Sequence, residues 1–381
     1  MKNKSKRSPE SVTRGSVLKA CFLGLVAVCL GTMSWQATAA QVVPSGRLDL
    51  DYASPHSDTR PLHSNAIVRR AELDLVVNFN DDWAFKTSND FARAKGGKPK
   101  NSIQNLVLTY KGWQTGDISA GQFKVPFGLD NLTSSKYIMG IERSLPTTGL
   151  APSRHLGIGF SRNRKHYTFS VMAFGPSIDY DKGDGVGARY TFAPIDSGST
   201  LLHLGVSFVS EVPKGSVKFK THPESKPTEV NFVDTGKLGD VSRINRLGLE
   251  MAYQTGPFTA QMEWMRAAIN RQSHPNAAFG GWYFEGGWMF GGGSRRYKYG
   301  TFKSPSLGRP YGTWELTVRY SHLDLNDAGV QGGRENNLTL GLNWYLNNHG
   351  RIMFNYISVH SDRHGVADNP DILLLQTQFF F

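Results

Sequence analysis

The chain has 381 residues, with 41 glycines, 22 phenylalanines, 14 tyrosines and 8 tryptophans, and 43 Lys and Arg against 31 Asp and Glu for a formal net charge of +12. That length is long for one soluble core and ordinary for one barrel, and past residue 40 no apolar run reaches the roughly 18 residues that a membrane-crossing helix needs. The bases are dispersed, with no basic helix and no recognition module, which argues against a nucleic-acid binder.

Residues 1–19 carry Lys2, Lys4, Lys6, Arg7, Arg14 and Lys19 against one acid, Glu10. An apolar stretch over 20–33 follows, then the small-x-small string Ala37-Thr38-Ala39. This order predicts a cleaved secretory signal peptide over 1–39 and a mature domain over 40–381. A transmembrane anchor would need a longer core without Gly24 and Gly31. Both cysteines, Cys21 and Cys29, fall in this leader, and neither sits in a lipobox. The mature chain therefore has no disulfide, no thiol nucleophile and no thiolate metal site. Without the leader, 37 bases face 30 acids, +7, a potential that attracts anions.

Period-two alternation, the mark of a strand with one apolar face, then recurs along the chain. Arg47 to Tyr52 opens the series. Ala71, Leu73, Leu75, Val77 and Phe79 share a face opposite Arg70, Glu72, Asp74 and Asn78. Similar runs lie at 83–90, 106–111, 167–173, 186–192, 247–254, 258–264, 314–321 and 338–344, with weaker ones at 118–124, 156–160, 201–208, 282–288 and 351–359. The last run, 372–381, places Leu373, Leu375, Phe379 and Phe381 on one face and Gln376 and Gln378 on the other. The count is sixteen, an even number that lets a single chain close on itself without edges. The fold expected is all-β, a closed antiparallel transmembrane barrel with a lumen wide enough for water. A terminal aromatic such as Phe381 is the feature that barrel assembly machinery reads.

Short connections at 80–82, 162–164 and 254–257 read as tight periplasmic turns, while 126–155 and 210–244 are long and read as outer loops. The 291–312 connection is long but falls on the periplasmic side by parity. It is either a turn folded inward or a sign that the strand count is off by one there.

Bases concentrate on the polar strand faces and in the long loops. Parity puts Arg70 in the lumen and Arg69 on the lipid side, at the rim where it can reach water. Lys136, Arg143 and Arg154 lie in the third outer loop, and Lys218 and Lys220 flank Phe219 at strand spacing. As a set they would lower the energy of an anion in transit; taken singly, each reads as an ordinary solvated charge paired with an acid such as Glu72, Asp74, Asp90 or Glu142. Catalysis has little support. His203 with Ser207, and Ser321-His322 before Asp324, are chance-level arrangements rather than a triad. No histidine pair has metal spacing, and no cofactor is expected. Gly183-Asp184-Gly185-Val186-Gly187 precedes a strand rather than a helix, so it reads as a turn, not a phosphate loop.

Several strings resemble the phosphate-selective porin O and P family, in the family's order and over essentially the whole mature chain. They are Val68-Arg69-Arg70-Ala71, Gly121 through Leu129, Thr133-Ser134-Ser135-Lys136-Tyr137 with Ile141-Glu142-Arg143, Phe192-Ala193-Pro194-Ile195, Leu202-His203-Leu204-Gly205, Trp314-Glu315-Leu316 with Arg319-Tyr320, and Leu340 through Tyr345. The resemblance implies a sixteen-stranded trimer whose third loop and part of whose fifth fold into the lumen, where a ladder of Arg and Lys guides anions. It matches Arg69, Arg70, Lys136 and Arg143 to basic positions and sets Lys218 and Lys220 where phosphate-selective members carry an arginine-rich stretch. Three positions depart from it. Glu72 stands where an aromatic is usual, and Ala84 and Asn131 where lysines are usual.

The expectation that follows is a porin in the bacterial outer membrane, among lipid and lipopolysaccharide, passing small anions with phosphate among them. Glu72, Ala84 and Asn131 motivate the alternative of a weakly selective general porin. A barrel hydrolase acting on lipid or peptide rests only on scattered Ser and His, and a surface adhesin only on loop length.

Overall fold

The computed structural model describes residues 40–92, 102–179, 183–309 and 312–381, together with the backbone of 94–95 and 98–99. The leader expected over 1–39 lies outside the described residues.

Every alternating run forms a strand. In chain order these are β1 Gln41–His56, β2 Asn65–Asn78, β3 Trp83–Asp90, β4 Ser102–Tyr110, β5 Asp117–Lys124, β6 Arg154–Asn163, β7 Tyr167–Phe174 and β8 Gly183–Ser197. The second half holds β9 Thr200–Pro213, β10 Val241–Thr255, β11 Phe258–Arg271, β12 Ala277–Phe290, β13 Thr313–Asp327, β14 Val330–Asn347, β15 Gly350–Arg363 and β16 Asp371–Phe380. Each pairs antiparallel with its chain neighbours, and β1 pairs with β16 over Arg47↔Phe380 to His56↔Asp371, so sixteen strands close the sheet. The three-residue strand Val366–Asp368 only extends β15. Closure gives every strand two partners, which satisfies the backbone without water.

The side chains are arranged inside out. On β13, Trp314, Leu316, Val318 and Tyr320 are 41–53% exposed, while Glu315, Thr317, Arg319 and Ser321 on the opposite face are at most 5% exposed. An outer face so apolar is stable only against lipid. Trp314 stacks on Trp344 at 5.2 Å between ring centroids, where β13 begins and β14 nears its end.

The seam depends on a glycine. Gly46 and Phe381 exchange two backbone hydrogen bonds of 3.1 Å. A Cβ at Gly46 would lie 2.9 Å from the Phe381 ring and from the Glu72 carbonyl, so a side chain there would push the terminal residue off β1. Turn chemistry follows the residues too. Asn80 Oδ1 accepts the amides of Asp82 (3.0 Å) and Trp83 (2.8 Å), an Asx turn. Ala328 and Gly329 both have positive φ in the two-residue turn between β13 and β14.

Wall height is uneven. Strands β3 to β7 have 8–10 residues, whereas β8 to β15 have 14–18. At about 3.3 Å per residue, the low wall measures roughly 26–33 Å along its strands and the high wall roughly 46–59 Å.

One end of the barrel carries the long connections 125–153 and 214–240; the other carries short turns, except at 291–312. That exception is a hairpin, Ser294–Lys298 with Thr301–Ser306. It bonds to inward side chains: Gln254 Nε2 donates to the Arg295 carbonyl at 2.8 Å and Arg189 Nη2 to the Gly300 carbonyl at 2.8 Å. Its Phe302 packs with Leu129, Ala193, Leu201 and Ala252. The strand count therefore stands, and 291–312 is a turn folded inward.

The principal apolar cluster is formed by the long connections and the inner wall. Val125, Phe127, Leu145 and Leu150 of 125–153, and Phe219, Val233 and Leu238 of 214–240, pack with Ile244, Met265, Ile269, Phe279 and Leu323 of the strands. Each buried side chain of this size contributes roughly 1.5–3 kcal/mol.

Candidate functional site: the basic inner wall

Inward arginines of the high wall, and Arg295 of the 291–312 hairpin, are bound to carboxylates. Arg189 bonds Glu250 at 2.8 and 2.6 Å, Arg246 bonds Glu211 at 2.5 Å, Arg295 bonds Glu315 at 2.6 and 2.7 Å, and Arg319 bonds Glu224 at 2.7 and 3.1 Å. All four guanidinium groups are buried. Three of them also grip the 125–153 connection by its carbonyls: Arg246 donates to Leu150 O (2.9 Å), Arg295 to Tyr137 O (2.6 Å) and Arg319 to Glu142 O (3.0 Å). Arg351 donates to Ile138 O at 3.0 Å, and Asn343 to Met139 O at 2.9 Å. Glu263 accepts the amides of Leu129 (2.8 Å) and Asp130 (2.7 Å) at the start of the short helix Leu129–Leu132. These groups are spent on holding the connection in place.

The low wall differs. Lys124 Nζ, at the end of β5, and Arg143 Nη2 converge on one acceptor, the Asn131 carbonyl oxygen; Arg143 is at 3.2 Å from it and at 2.6 Å from Thr133 O. Neither cation is ion-paired among the described residues. Arg70 and Arg154 lie within electrostatic reach of Lys124, and Arg154 Nε donates to Asn105 Oδ1 at 3.3 Å. Toward the short-turn end the line of bases continues. Lys136 sits over the rings of Phe380 (5.8 Å) and Tyr137 (6.0 Å). Lys86 is exposed on the inward face of β3, and Lys303 of the 291–312 hairpin feels both Lys86 and Lys298. Burial pushes the Lys136 ammonium down, with Arg47 and Lys86 adding to it and Asp74 opposing. Burial, Lys298 and Lys86 push Lys303 the same way.

Placement of the expected residues is mixed. Arg70, Arg143 and Arg154 gather with Lys124. Arg69 is a correction. It does not sit on the lipid side, because Asp49 pairs with Arg70 and Leu50 with Val68, leaving Arg69 as the extra residue of a β-bulge. The bulge turns both arginines inward, and Arg69 pairs with Glu142. Burial raises the Glu142 carboxyl, but the Arg69 guanidinium and its hydrogen bonds, aided by Arg70 and Arg143, bring it down to about 2. Lys218 and Lys220 do flank a buried Phe219 and face one way, but on the 214–240 connection, where Asp234 takes Lys218 at 2.7 Å. No hydrogen bond or ion pair joins either to the Lys124 group among the described residues.

The three departures have concrete consequences. Glu72 is bound bidentately by Arg47, at 2.8 and 2.9 Å, so its charge is matched within the wall. Ala84 is buried on β3. Asn131 braces its own turn through Nδ2 to Phe127 O at 3.1 Å while its carbonyl holds the two cations. Arg47, Lys124, Lys86 and Lys303 were not singled out from the sequence. Arg47 and Lys124 stand inside strings quoted above, but nothing local marks what they face.

A family model described as phosphate-selective porin O and P matches residues 45–381. Porin O of Pseudomonas aeruginosa (strain PAO1) is 24% identical over 88% of this chain and 87% of its own. Among solved structures, an anion-selective porin from Comamonas acidovorans aligns with a TM-score of 0.59 at 12% identity, covering 90% of this chain and all of that one. OmpT of Vibrio cholerae, an outer membrane protein in a trimer form, aligns with the same score, identity and coverage.

Proposed function

Because the chain belongs to the phosphate-selective porin O and P family, we propose that this bacterial outer-membrane porin passes small anions, phosphate among them, along its low wall. The observation that carries this reading is the contrast in pairing. Lys124 and Arg143 meet at a carbonyl with no carboxylate bonded to either among the described residues, while Arg189, Arg246, Arg295 and Arg319 are each neutralised. An anion is attracted by uncompensated charge, and weak, multiple sites let it leave again.

In this reading the 125–153 connection and part of 214–240 lie in the lumen and narrow it. The path runs from Arg70, Lys124, Arg143 and Arg154 past Lys136 and Lys86 to Lys303, with Arg69 positioning Glu142. Lys218 and Lys220 act as an outer attracting pair. The rest of the reading is a secretory signal over 1–39, assembly guided by Phe381, a homotrimer, and an outer face set in lipid and lipopolysaccharide. The chain acts as a channel rather than an enzyme.

The test is the reversal potential of the purified protein in a planar bilayer under a KCl gradient, followed by added phosphate. Anion preference with a saturable phosphate block of chloride current is expected. Cation preference overturns the reading. Weak anion preference without block selects the general porin that Glu72, Ala84 and Asn131 suggest.

A further inference from the structure

We propose that Glu224 is the positioning residue for Arg143: it holds the 142–145 stretch against the wall and so keeps the basic constriction assembled. The proposal rests on the porin reading above.

Glu224 belongs to the 214–240 connection, yet its carboxylate is 2% exposed and takes five donors from three other parts of the chain. Oε1 accepts the Leu145 amide at 3.1 Å and Ser321 Oγ at 2.6 Å. Oε2 accepts Arg319 Nη2 at 2.7 Å, Arg319 Nε at 3.1 Å and Thr339 Oγ1 at 2.9 Å. Its own backbone is left-handed, with φ of 52°, a conformation a glutamate keeps only when its surroundings over-determine it.

The arrangement brackets Arg143. On one side of it, Arg319 Nη1 holds the Glu142 carbonyl at 3.0 Å, and Arg319 is itself oriented by Glu224. On the other side, Glu224 holds the Leu145 amide directly. The Arg143 side chain is then delivered to the Asn131 and Thr133 carbonyls, beside Lys124. A single carboxylate thus ties the 214–240 connection, the 125–153 connection, β13 and β14 together. Without it, Arg319 keeps Glu285, at 3.3 Å, as its charged partner among the described residues, and the Leu145 amide loses its acceptor, leaving the Arg69–Glu142 pair and the bonds from Ser144 to Asp130 to hold the stretch around Arg143.

Glu224→Gln keeps the shape and removes the charge. The expected result is a larger single-channel conductance and an anion-to-cation permeability ratio reduced roughly two- to tenfold, in a barrel that keeps native heat-modifiable migration. A rescue separates positioning from stability. Thr148 Oγ1 and Thr221 Oγ1 lie 2.6 Å apart, joining the same two connections independently of Glu224. The only cysteines, Cys21 and Cys29, fall within the leader expected to be removed, so a Thr148→Cys/Thr221→Cys pair can be oxidised selectively. In the Glu224→Gln background, oxidation should return both values toward native. Thr339→Val, which removes one donor and leaves the carboxylate otherwise bonded, should shift both values the same way by less. Native conductance and selectivity in both Glu224→Gln and Thr339→Val, or altered values that the oxidised pair fails to restore, would overturn the proposal. If the unmutated protein carries no current, the porin reading fails first and the proposal with it.

Discussion

The two sides of the barrel interior use the same residue types for opposite purposes. On the high wall and the hairpin packed against it, arginines are buried against glutamates, and their remaining donors clasp carbonyls of the 125–153 connection. On the low wall, Lys124 and Arg143 share a carbonyl and, among the described residues, have no carboxylate bound. Charge count alone cannot tell these apart. A guanidinium whose charge is cancelled within hydrogen-bond distance contributes little field to the lumen, while a base with no carboxylate bonded to it leaves its charge unmatched. The basic balance of residues 40–381 is therefore an incomplete guide to selectivity. What matters is which bases remain unneutralised and where along the interior they stand.

The comparison is most directly broken by exchanging the two roles. Arg295→Gln should behave as a structural change. It leaves Glu315, 1% exposed, without its cation and releases Tyr137 O. Removing one partner of a buried pair costs about 3–5 kcal/mol. A clear drop in the thermal unfolding midpoint is expected, with a wider and noisier channel, while phosphate-dependent block persists in the molecules that stay folded. An unchanged midpoint together with a collapsed reversal potential would move Arg295 to the conducting set.

Lys124→Gln and Arg143→Gln should do the reverse. Each removes about 1 kcal/mol of attraction for an anion near 4 Å in water-like surroundings, or roughly fivefold in the permeability ratio. The unfolding midpoint should fall by less than for Arg295→Gln, by the equivalent of about 1–2 kcal/mol, since each variant takes a charged donor from a carbonyl of the 125–153 connection. Planar-bilayer reversal potentials and a melting curve on the same preparations check both halves. Unaltered selectivity in the double variant would mean that the low wall is not the path.

The sixteen strands were legible because lipid imposes a period of two on every one of them and turns break that period cleanly. The interior was much less so. Arg69 was set on the wrong face because parity assumes an unbroken register, and a bulge opposite Asp49/Leu50 adds one residue. The pairing of Glu72 with Arg47 joins residues 25 apart across a hairpin, and that of Glu224 with Arg319 spans 95 residues. Neither leaves a local pattern. Lys124 stands at the point where a strand becomes a loop, and there alternation stops carrying direction. The 291–312 connection kept both of its readings open because inward folding depends on contacts such as Phe302 with Leu129, which spacing does not encode.

Glu72 gives the smallest effect and the finest discrimination. Counted from the sequence, it subtracts one charge from the pore. In the structure it is half of a bidentate pair with Arg47, which also donates to Ser135 Oγ at 2.8 Å. Glu72→Gln should therefore do more than delete an acid. It should release Arg47 into the line that leads from Arg70 to Lys136, raising anion preference by up to about fivefold, the equivalent of ~1 kcal/mol for a partly exposed pair. Arg47→Gln alone should lower the preference, because Glu72 is then left with the weaker bond from Arg70, at 3.3 Å. The double variant, Glu72→Gln with Arg47→Gln, should return close to the native reversal potential, since the pair it removes is neutral as a unit. If the two single effects instead add in one direction, the pair is not neutral to a passing ion, and the low wall works through individual charges rather than through the balance between bound and unbound bases.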